Sequence, residues 1–272
     1  MARKPYVRAE TILDELADFC RGEHPEFDVV TLGGLGEPTL NVEMGGILSG
    51  IRRILPGVPT AVLTNSAHLS DPEVRAELCL ADLVLPSMDS LVSDEFSRLN
   101  QPHPDASLAA IKEGLLAFRR EFSGRIYLET LLCAGINDTD ANLFALTAFC
   151  RELLPDRVDV VTVSRPGAWP EARPASPEAL ERFRSALNVR SDPARITGHG
   201  PSALIAATQA RAGAGDPDAR ILASLARRPQ TAAQLAEALR LDPNEAARAL
   251  KRLAGAKKIL SREELDDVFY SG

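Results

Sequence analysis

The hydrophobic positions alternate between two spacings along the first two thirds of the chain. Short runs of β-branched and aliphatic residues predict strands at 28–32, 58–63, 82–86, 126–132 and 158–163. Apolar positions three and four residues apart predict helices at 9–21, 43–54, 71–80, 106–122, 141–153 and 176–188. The strand runs lack polar alternation, so we expect each strand to be covered on both faces, as in a parallel sheet.

Repeated βα units of this kind require parallel strands joined by right-handed crossovers, which is typical of an α/β protein. We predict an open or partial (β/α) barrel over residues 1–198, because a closed eight-stranded barrel usually needs about 250 residues. The stretch 88–104 is predicted as a long connection inside this barrel.

The pattern changes after residue 198. Residues 199–215 combine a Gly-His-Gly-Pro-Ser cluster, a short helical pattern at 204–211 and a glycine-rich run, and they are predicted to be mainly a linker. Residues 216–272 predict three short helices, the second capped by Thr231 and the third by Asp242, followed by a short β return. This order resembles a winged helix–turn–helix domain.

One loop carries a pattern that suggests chemistry. The first predicted strand ends in three glycines, Gly33, Gly34 and Gly36, and these are followed by Glu37 and Pro38. Glycine leaves room for a ligand to approach the main chain, so the loop is typical of a ligand-binding βα turn at the carboxyl end of a parallel sheet. The alternative is a tight turn in which Glu37 only caps the next helix. Glycine spacing alone favours neither.

Five segments, in register, resemble one family. Residues 33–40 read Gly-Gly-Leu-Gly-Glu-Pro-Thr-Leu and resemble the Gly-Gly-Glu loop of radical S-adenosylmethionine (radical SAM) proteins, in particular the branch of the wyosine tRNA synthetases. The further matches, within a resemblance that covers about residues 5–170, are Leu63-Thr64-Asn65, Pro86-Ser87-Met88-Asp89, Leu99-Asn100-Gln101-Pro102-His103 and Gly135-Ile136-Asn137-Asp138. The resemblance implies a partial barrel of radical SAM type, here lacking its first strand.

The resemblance also implies two cofactors, SAM and a [4Fe–4S] cluster, and the reductive cleavage of SAM to a 5′-deoxyadenosyl radical. In the family, a Cys-x-x-x-Cys-x-x-Cys loop holds the cluster, since iron–sulfur clusters take thiolate ligands. This sequence has four cysteines, at 20, 79, 133 and 150, and none has that spacing. We expect a start codon assigned too far downstream, and the alternatives are a decayed homologue or a cluster supplied by another chain. This polypeptide alone is expected to bind no cluster and to cleave no SAM.

Eight residues are implied as SAM contacts, and no catalytic or metal-ligating residue is assigned. Most of them follow predicted strands, and an acid within a strand is costly unless it is paired or faces a site. A salt bridge is the alternative role of Glu129. The eight are Gly34, Gly36, Glu37, Thr64, Asn65, Ser87, Asp89 and Glu129.

Other polar residues are weaker candidates. Arg165 follows the last β run and either pairs an anion or is a solvated loop residue. His103 either donates a proton or forms an ordinary loop hydrogen bond. Cys133 lies at the end of its strand where barrel chemistry occurs, although packing is the preferred interpretation. The remaining three cysteines are expected to be small buried hydrophobic residues. Gln101 and Ser66 depart from the residues of the resembling branch, which has arginine and glycine there.

Composition limits the partners. The net charge of −7 argues against a protein that coats nucleic acid, and no apolar run is long enough to cross a membrane, so we expect a cytoplasmic protein. Residues 216–272 differ, since they hold ten Lys or Arg and nine Asp or Glu, a net charge of +1. Arg248, Lys251 and Arg252 fall on one predicted helix face. A nucleic-acid contact and a protein or dimer contact are the two interpretations of this domain. The substrate of the whole protein is unknown, and the family resemblance makes RNA one candidate.

Overall fold

The computed structural model describes residues 2–21, 28–33, 36–163, 172–187, 216–225, 229–239, 241–264 and 267–271. These residues form two compact units. The first holds residues up to 162 together with 172–187, and the second holds the residues from 216 onward. The predicted linker 199–215 and the helical pattern at 204–211 lie outside the described residues, so the domain boundaries stay a prediction.

The first unit is built on five parallel strands that lie side by side in the order of the sequence. Every neighbouring pair is parallel, which confirms the prediction of an open α/β sheet. The strands are β1 (Val30–Leu32), β2 (Thr60–Thr64), β3 (Leu83–Pro86), β4 (Arg125–Leu132) and β5 (Arg157–Thr162).

Among the described residues of this unit, seven α-helices surround or connect the strands. Their starts follow local signals: Asp71, Ser107 and Thr139 each accept a backbone N–H of the first turn. The six predicted helices are present to within two residues at either end. The seven are α1 (Ala9–Arg21), α2 (Met44–Ile54), α3 (Pro72–Leu78), α4 (Ser93–Asn100), α5 (Leu108–Glu121), α6 (Asp140–Leu153) and α7 (Pro177–Leu187).

Helix α4 was not predicted, because the stretch 88–104 was expected to be a connection. Val92 precedes the helix and provides no side-chain cap, so the usual start signal is missing from the sequence. A tertiary contact replaces it. The buried carboxylate of Glu95 accepts hydrogen bonds from the hydroxyls of Ser90, at 2.7 Å, and Thr139, at 2.6 Å.

The two faces of the sheet differ in burial, so the expectation of strands covered on both faces holds only in part. The face toward the helices is closed, and Val62, Val84 and Leu128 there are each 0% exposed within the main hydrophobic core. On the other face Tyr127 is buried, whereas Leu63 is 41% exposed. Among the described residues the five strands do not close into a barrel, and the second face is accessible around Leu63.

The second unit packs three helices with a three-stranded antiparallel sheet. The three predicted helices and the β return are present, and Ile221, Leu235 and Leu250 are central in their common core. Thr231 and Gln234 bond reciprocally at the start of the second helix. The elements are α8 (Pro217–Leu225), β6 (Gln230–Thr231), α9 (Ala232–Leu239), α10 (Pro243–Gly255), β7 (Leu260–Glu264) and β8 (Asp267–Ser271), with sheet order β6-β8-β7.

None of the helices in the described ranges combines the length and the apolar character that a transmembrane helix needs.

Two helix glycines give a matched test of the packing. A Cβ at Gly114 would lie 2.5 Å from the carbonyl carbon of Leu69, whereas a Cβ at Gly46 would meet only the Cβ of Ala9, at 3.7 Å. We expect Gly114→Ala to lower the free energy of unfolding by about 1–3 kcal/mol through overpacking. Gly46→Ala should leave it unchanged or raise it by up to about 1 kcal/mol. Urea unfolding measures both, and equal stability of the two variants would contradict the packing of α5.

Candidate ligand-binding site

A cavity of about 400 Å³ opens at the carboxyl ends of β1 to β4, on the accessible face of the sheet. Its volume lies within the range of about 300–1,000 Å³ that small-molecule sites occupy. Six of the eight predicted SAM contacts line it, and Gly34 lies outside the described residues. Asp89 is not part of the lining, which consists of Gly33, Gly36, Glu37, Leu63, Thr64, Asn65, Leu85, Ser87 and Glu129.

The carboxylate of Glu37 joins the first two loops of the site. It accepts from the backbone N–H of Thr39 and thereby caps the short 3-10 helix Pro38–Leu40. The same carboxylate accepts from the hydroxyl of Thr64, at 2.7 Å, and from the backbone N–H of Asn65, also at 2.7 Å. Glu37 therefore caps the next turn, as the second interpretation of this loop expected, and it also holds the glycine loop against the end of β2. Ligand binding by this loop stays a prediction.

Gly36 faces open space at the end of the glycine loop. A Cβ built on it would meet no atom of the described residues within 4 Å. Because the carboxylate of Glu37 is already occupied by hydrogen bonds from this chain, the groups left for a ligand at this loop are backbone groups.

Ser66 joins the second loop to the third. Its φ of 66° lies in the left-handed region, where glycine is favoured, and glycine is the residue that the sequence resemblance implied at this position. Here the serine hydroxyl donates to the carbonyl oxygen of Ser87 at 2.8 Å. That bond offsets part of the cost of the conformation and connects the ends of β2 and β3.

Asp89 is turned into the protein. Its carboxylate accepts from the backbone N–H of Leu131, at 2.9 Å, and from the amide of Asn100, at 2.7 Å. Burial raises the pKa of Asp89, and these two hydrogen bonds oppose the rise. The residue therefore supports the loop behind the cavity, and its predicted contact with a ligand has no counterpart in the cavity lining.

Two asparagines complete this buried framework. Asn137 accepts from the backbone N–H of Cys133 and donates to the carbonyls of Leu131 and Asp89, all at 2.8 Å. Asn142 donates to the carbonyl of Asp89 at 3.0 Å. Sequence reasoning missed Asn142, although its place on the apolar side of α6, four residues before Leu146, was a signal. The motif residues Asn100 and Asn137 thus hold the loops in position.

Glu129 is a carboxylate of the site for which the described residues provide no charged partner. It lies in β4 beside Ser87, to which it is joined by a parallel bridge, and it is half-buried. Burial raises the pKa of Glu129 most, and the negative charges of Asp89 and Asp159 raise it further. No Lys, Arg or His of the described residues forms an ion pair with it, so the alternative of a salt bridge is not found there.

The other described candidates, His103 and the cysteines, do not line this cavity. His103 is exposed in its loop, and its Nδ1 accepts from the backbone N–H of Asp105 at 3.3 Å. Arg165 lies outside the described residues. Cys133 and Cys150 are buried and Cys20 is half-buried, whereas Cys79 is exposed, so the expectation that it would be a buried hydrophobic residue was wrong. Cys79 follows α3 at its carboxyl end rather than on the packed face.

The described residues do not fit an iron–sulfur cluster. No group of three or more His, Cys, Asp or Glu among them could hold a metal ion. All four cysteines of the sequence lie within the described ranges, and they do not form a cluster that could bind a metal ion. Burial raises the pKa of Cys133, and it raises that of Cys150 to about 12, which disfavours the thiolates that iron requires.

Sequence comparison gives relatives of low to moderate identity. No protein-family model matches the chain. A UPF0026 protein of Synechocystis sp. is 34% identical over 180 residues, which are 66% of this chain and 62% of that protein. A UPF0026 protein of Helicobacter pylori is 28% identical over 266 residues, 97% of this chain and 82% of the relative.

A protein named GTPase Obg, from Brachyspira hyodysenteriae, is 28% identical over 264 residues, 96% of this chain and 37% of that protein. The chain thus spans less than two thirds of the length of the Brachyspira and Synechocystis relatives. Its sequence contains no Gly-Lys pair and hence no P-loop for a nucleoside triphosphate.

Structural comparison finds radical SAM enzymes. A radical SAM methyltransferase from Sphaerobacter thermophilus matches with a TM-score of 0.51 and 21% identity, over 70% of this chain and 56% of that one. A domain of pyruvate-formate lyase-activating enzyme from Bacteroides vulgatus gives a TM-score of 0.44 and 19% identity, over 58% of this chain and 91% of that domain. The first likeness shows a shared fold.

The unpaired carboxylate leads to a prediction on stability. A carboxyl whose pKa is raised on folding favours the folded state at low pH, and that contribution is lost as the pH rises through the raised pKa. We therefore expect Glu129→Gln to stabilise the ligand-free protein at neutral pH and to lose this advantage in acid. Thermal unfolding at several pH values measures the effect. A neutral-pH destabilisation would show that the carboxylate is satisfied by the protein.

The asparagine framework gives a second prediction. Asn137→Ala would leave the backbone N–H of Cys133 and the carbonyl of Leu131 without their partner, and each orphaned buried group costs about 1–3 kcal/mol. We expect a loss of about 3 kcal/mol in the free energy of unfolding. Asn65→Ala is the matched control, because Asn65 is exposed and its side chain accepts only from the backbone N–H of Ala67. Equal losses in urea unfolding would contradict the framework role.

Proposed function

We propose that the first unit binds S-adenosylmethionine in the cavity at the carboxyl ends of its strands. The observation that carries the proposal is Glu129, an unpaired carboxylate that lines this cavity. SAM bears a sulfonium and an ammonium group, and a half-buried anion without a partner attracts such cations more strongly than an anion in water does. The open glycine-loop backbone at Gly36 offers further hydrogen-bonding groups.

The rest of the lining suits the same ligand. The exposed side chain of Leu63 and the neighbouring Leu85 provide apolar surface for an adenine ring, and Ser87 and Asn65 provide polar groups for a ribose. The resemblance of the loop sequences and the likeness in fold to a radical SAM methyltransferase support the same ligand. Methyl transfer does not follow from that likeness, because function is carried by the site and not by the fold.

The described residues do not suit the second cofactor that the resemblance implies. A [4Fe–4S] cluster would supply the electron that cleaves SAM, but the four cysteines of this sequence do not fit it. We propose that this polypeptide alone holds no cluster and does not cleave SAM. Thiolates from outside this sequence are required for radical chemistry.

A second candidate function is a non-catalytic one. In this proposal the chain is a SAM- or nucleotide-binding protein whose second unit, of winged-helix type, acts as an interaction module. The observation that favours it is the same misfit of the cysteines, since a binding role needs no cluster. The in-frame DNA upstream of the first codon discriminates the two: a Cys-x-x-x-Cys-x-x-Cys motif after a strand pattern supports the enzyme.

SAM binding is tested by titration calorimetry of the full chain. We expect saturable binding that Glu129→Gln weakens, because the variant removes the charge that attracts the ligand. In the wild-type protein the affinity should fall from neutral to mildly acidic pH as Glu129 takes up a proton at a higher pH than an ordinary glutamate. The variant should not show this pH dependence. Glu152→Gln, an exposed residue of α6, is the charge-matched control and should bind as the wild type does.

Binding by wild type and Glu129→Gln with equal affinity would contradict the role of the carboxylate. No binding by either protein would contradict the proposed ligand itself.

The cluster proposal is tested by anaerobic reconstitution with iron and sulfide. We expect less than stoichiometric iron, no visible absorption band of a [4Fe–4S] cluster, and no 5′-deoxyadenosine after reduction in the presence of SAM. A stoichiometric cluster together with 5′-deoxyadenosine would overturn the assignment of the cysteines as structural.

A further inference from the structure

A run without acidic residues stands out in a chain whose net charge is −7. Between Glu245 and Glu263 the sequence has no Asp or Glu. Within this run lie six basic residues, namely Arg248, Lys251, Arg252, Lys257, Lys258 and Arg262. Such a concentration of one sign creates a local positive potential that the net charge of the whole chain conceals.

The structure separates the cations of α10 by their surroundings. One side of the helix is buried through Ala246, Ala249, Leu250 and Leu253. Arg252 is engaged by Asp218, whose carboxylate it approaches to 2.6 Å. The sequence pattern placed Arg252 on the same predicted helix face as Arg248 and Lys251. The ion pair with Asp218 distinguishes Arg252 from these two residues.

Of the other five cations, Arg262 lies in β7, and four lie on the helix or in the turn that follows it. Arg248 and Lys251 are exposed and three residues apart, so they lie on the same helix face. Lys257 and Lys258 are exposed in the turn that follows the helix. Within the described part of the unit, none of the four is in an ion pair. These four residues form the basic face of the second unit.

The acidic residues that belong to α10 lie at its start. Asp242 caps the helix, and Glu245 stands in its first turn, three residues before Arg248. After Glu245 the charged residues of the helix and of the turn that follows it are all basic. A polyanionic ligand is therefore directed to the later turns of the helix and to the turn after it.

We propose that the basic face of α10 binds the phosphate backbone of a double-stranded nucleic acid. An exposed helix carrying cations on one side fits the width of a duplex groove, and the cations that follow it reach the flanking phosphates. Each Lys or Arg that neutralises a phosphate releases counterions, so a compact set of unpaired cations gives salt-dependent binding without any need for base contacts. This inference does not depend on SAM binding by the first unit.

The test is fluorescence anisotropy of the full chain with labelled duplex DNA and with labelled duplex RNA. With four phosphate contacts, the affinity for DNA should fall by about two orders of magnitude between about 50 and about 200 mM salt. The double variant Arg248→Gln/Lys251→Gln should flatten the slope of log K against log salt by about two, one for each contact removed. The two duplexes show whether the face prefers DNA or RNA geometry.

The control is Arg53→Gln/Arg151→Gln, which removes the same charge from exposed positions of α2 and α6. It should keep the slope of the wild type, and an equal loss in both double variants would overturn the assignment to the basic face. Absence of saturable binding to either duplex at low salt would also overturn it. Polyglutamate serves as a competitor, and binding to it as tight as to a duplex would assign the face to an acidic protein instead.

Discussion

The candidate site depends on the hydrogen bonds that the carboxylate of Glu37 accepts. It accepts hydrogen bonds from Thr39, Thr64 and the backbone of Asn65, and so it fixes the glycine loop against the end of β2. Ser66 extends the connection to β3 through the carbonyl of Ser87. Hydrogen bonds to a charged group are stronger than those between neutral groups, so this one residue fixes the positions of two loops. The cavity keeps its shape because its walls are bonded to one another.

The acidic residues near the cavity differ in whether the protein provides hydrogen-bond donors to their carboxylates. The carboxylates of Glu37 and Asp89 both accept hydrogen bonds from the protein, and those of Asp89 come from Leu131 and Asn100. Glu129 lies at the same end of the sheet, half-buried, and its carboxylate has no partner among the described residues. A half-buried carboxylate without a partner lowers stability, and the proposed cationic ligand would offset that cost.

The two units carry opposite electrostatic features. The cavity of the first unit gathers negative charge around Glu129, with Asp89 and Asp159 behind it. The second unit exposes positive charge on α10, because a nearby acid, Asp218, is already paired with Arg252. A cationic small molecule and a polyanionic macromolecule would then be bound by separate parts of the chain. The chain's net charge of −7 describes neither part.

The strands, the helices and the glycine–acid loop follow from the sequence alone, because apolar spacing and capping residues such as Asp71 are local signals. The tertiary structure alone decided three further points. It placed α4 within the stretch 88–104 through the contacts of Glu95, and it left one face of the sheet open at Leu63. It also distinguished Asp89 from Glu129, since Asp89 is satisfied by Leu131, 42 residues away. Hydrogen bonds between such distant residues leave no periodic trace in a sequence, and they determine which polar group stays free.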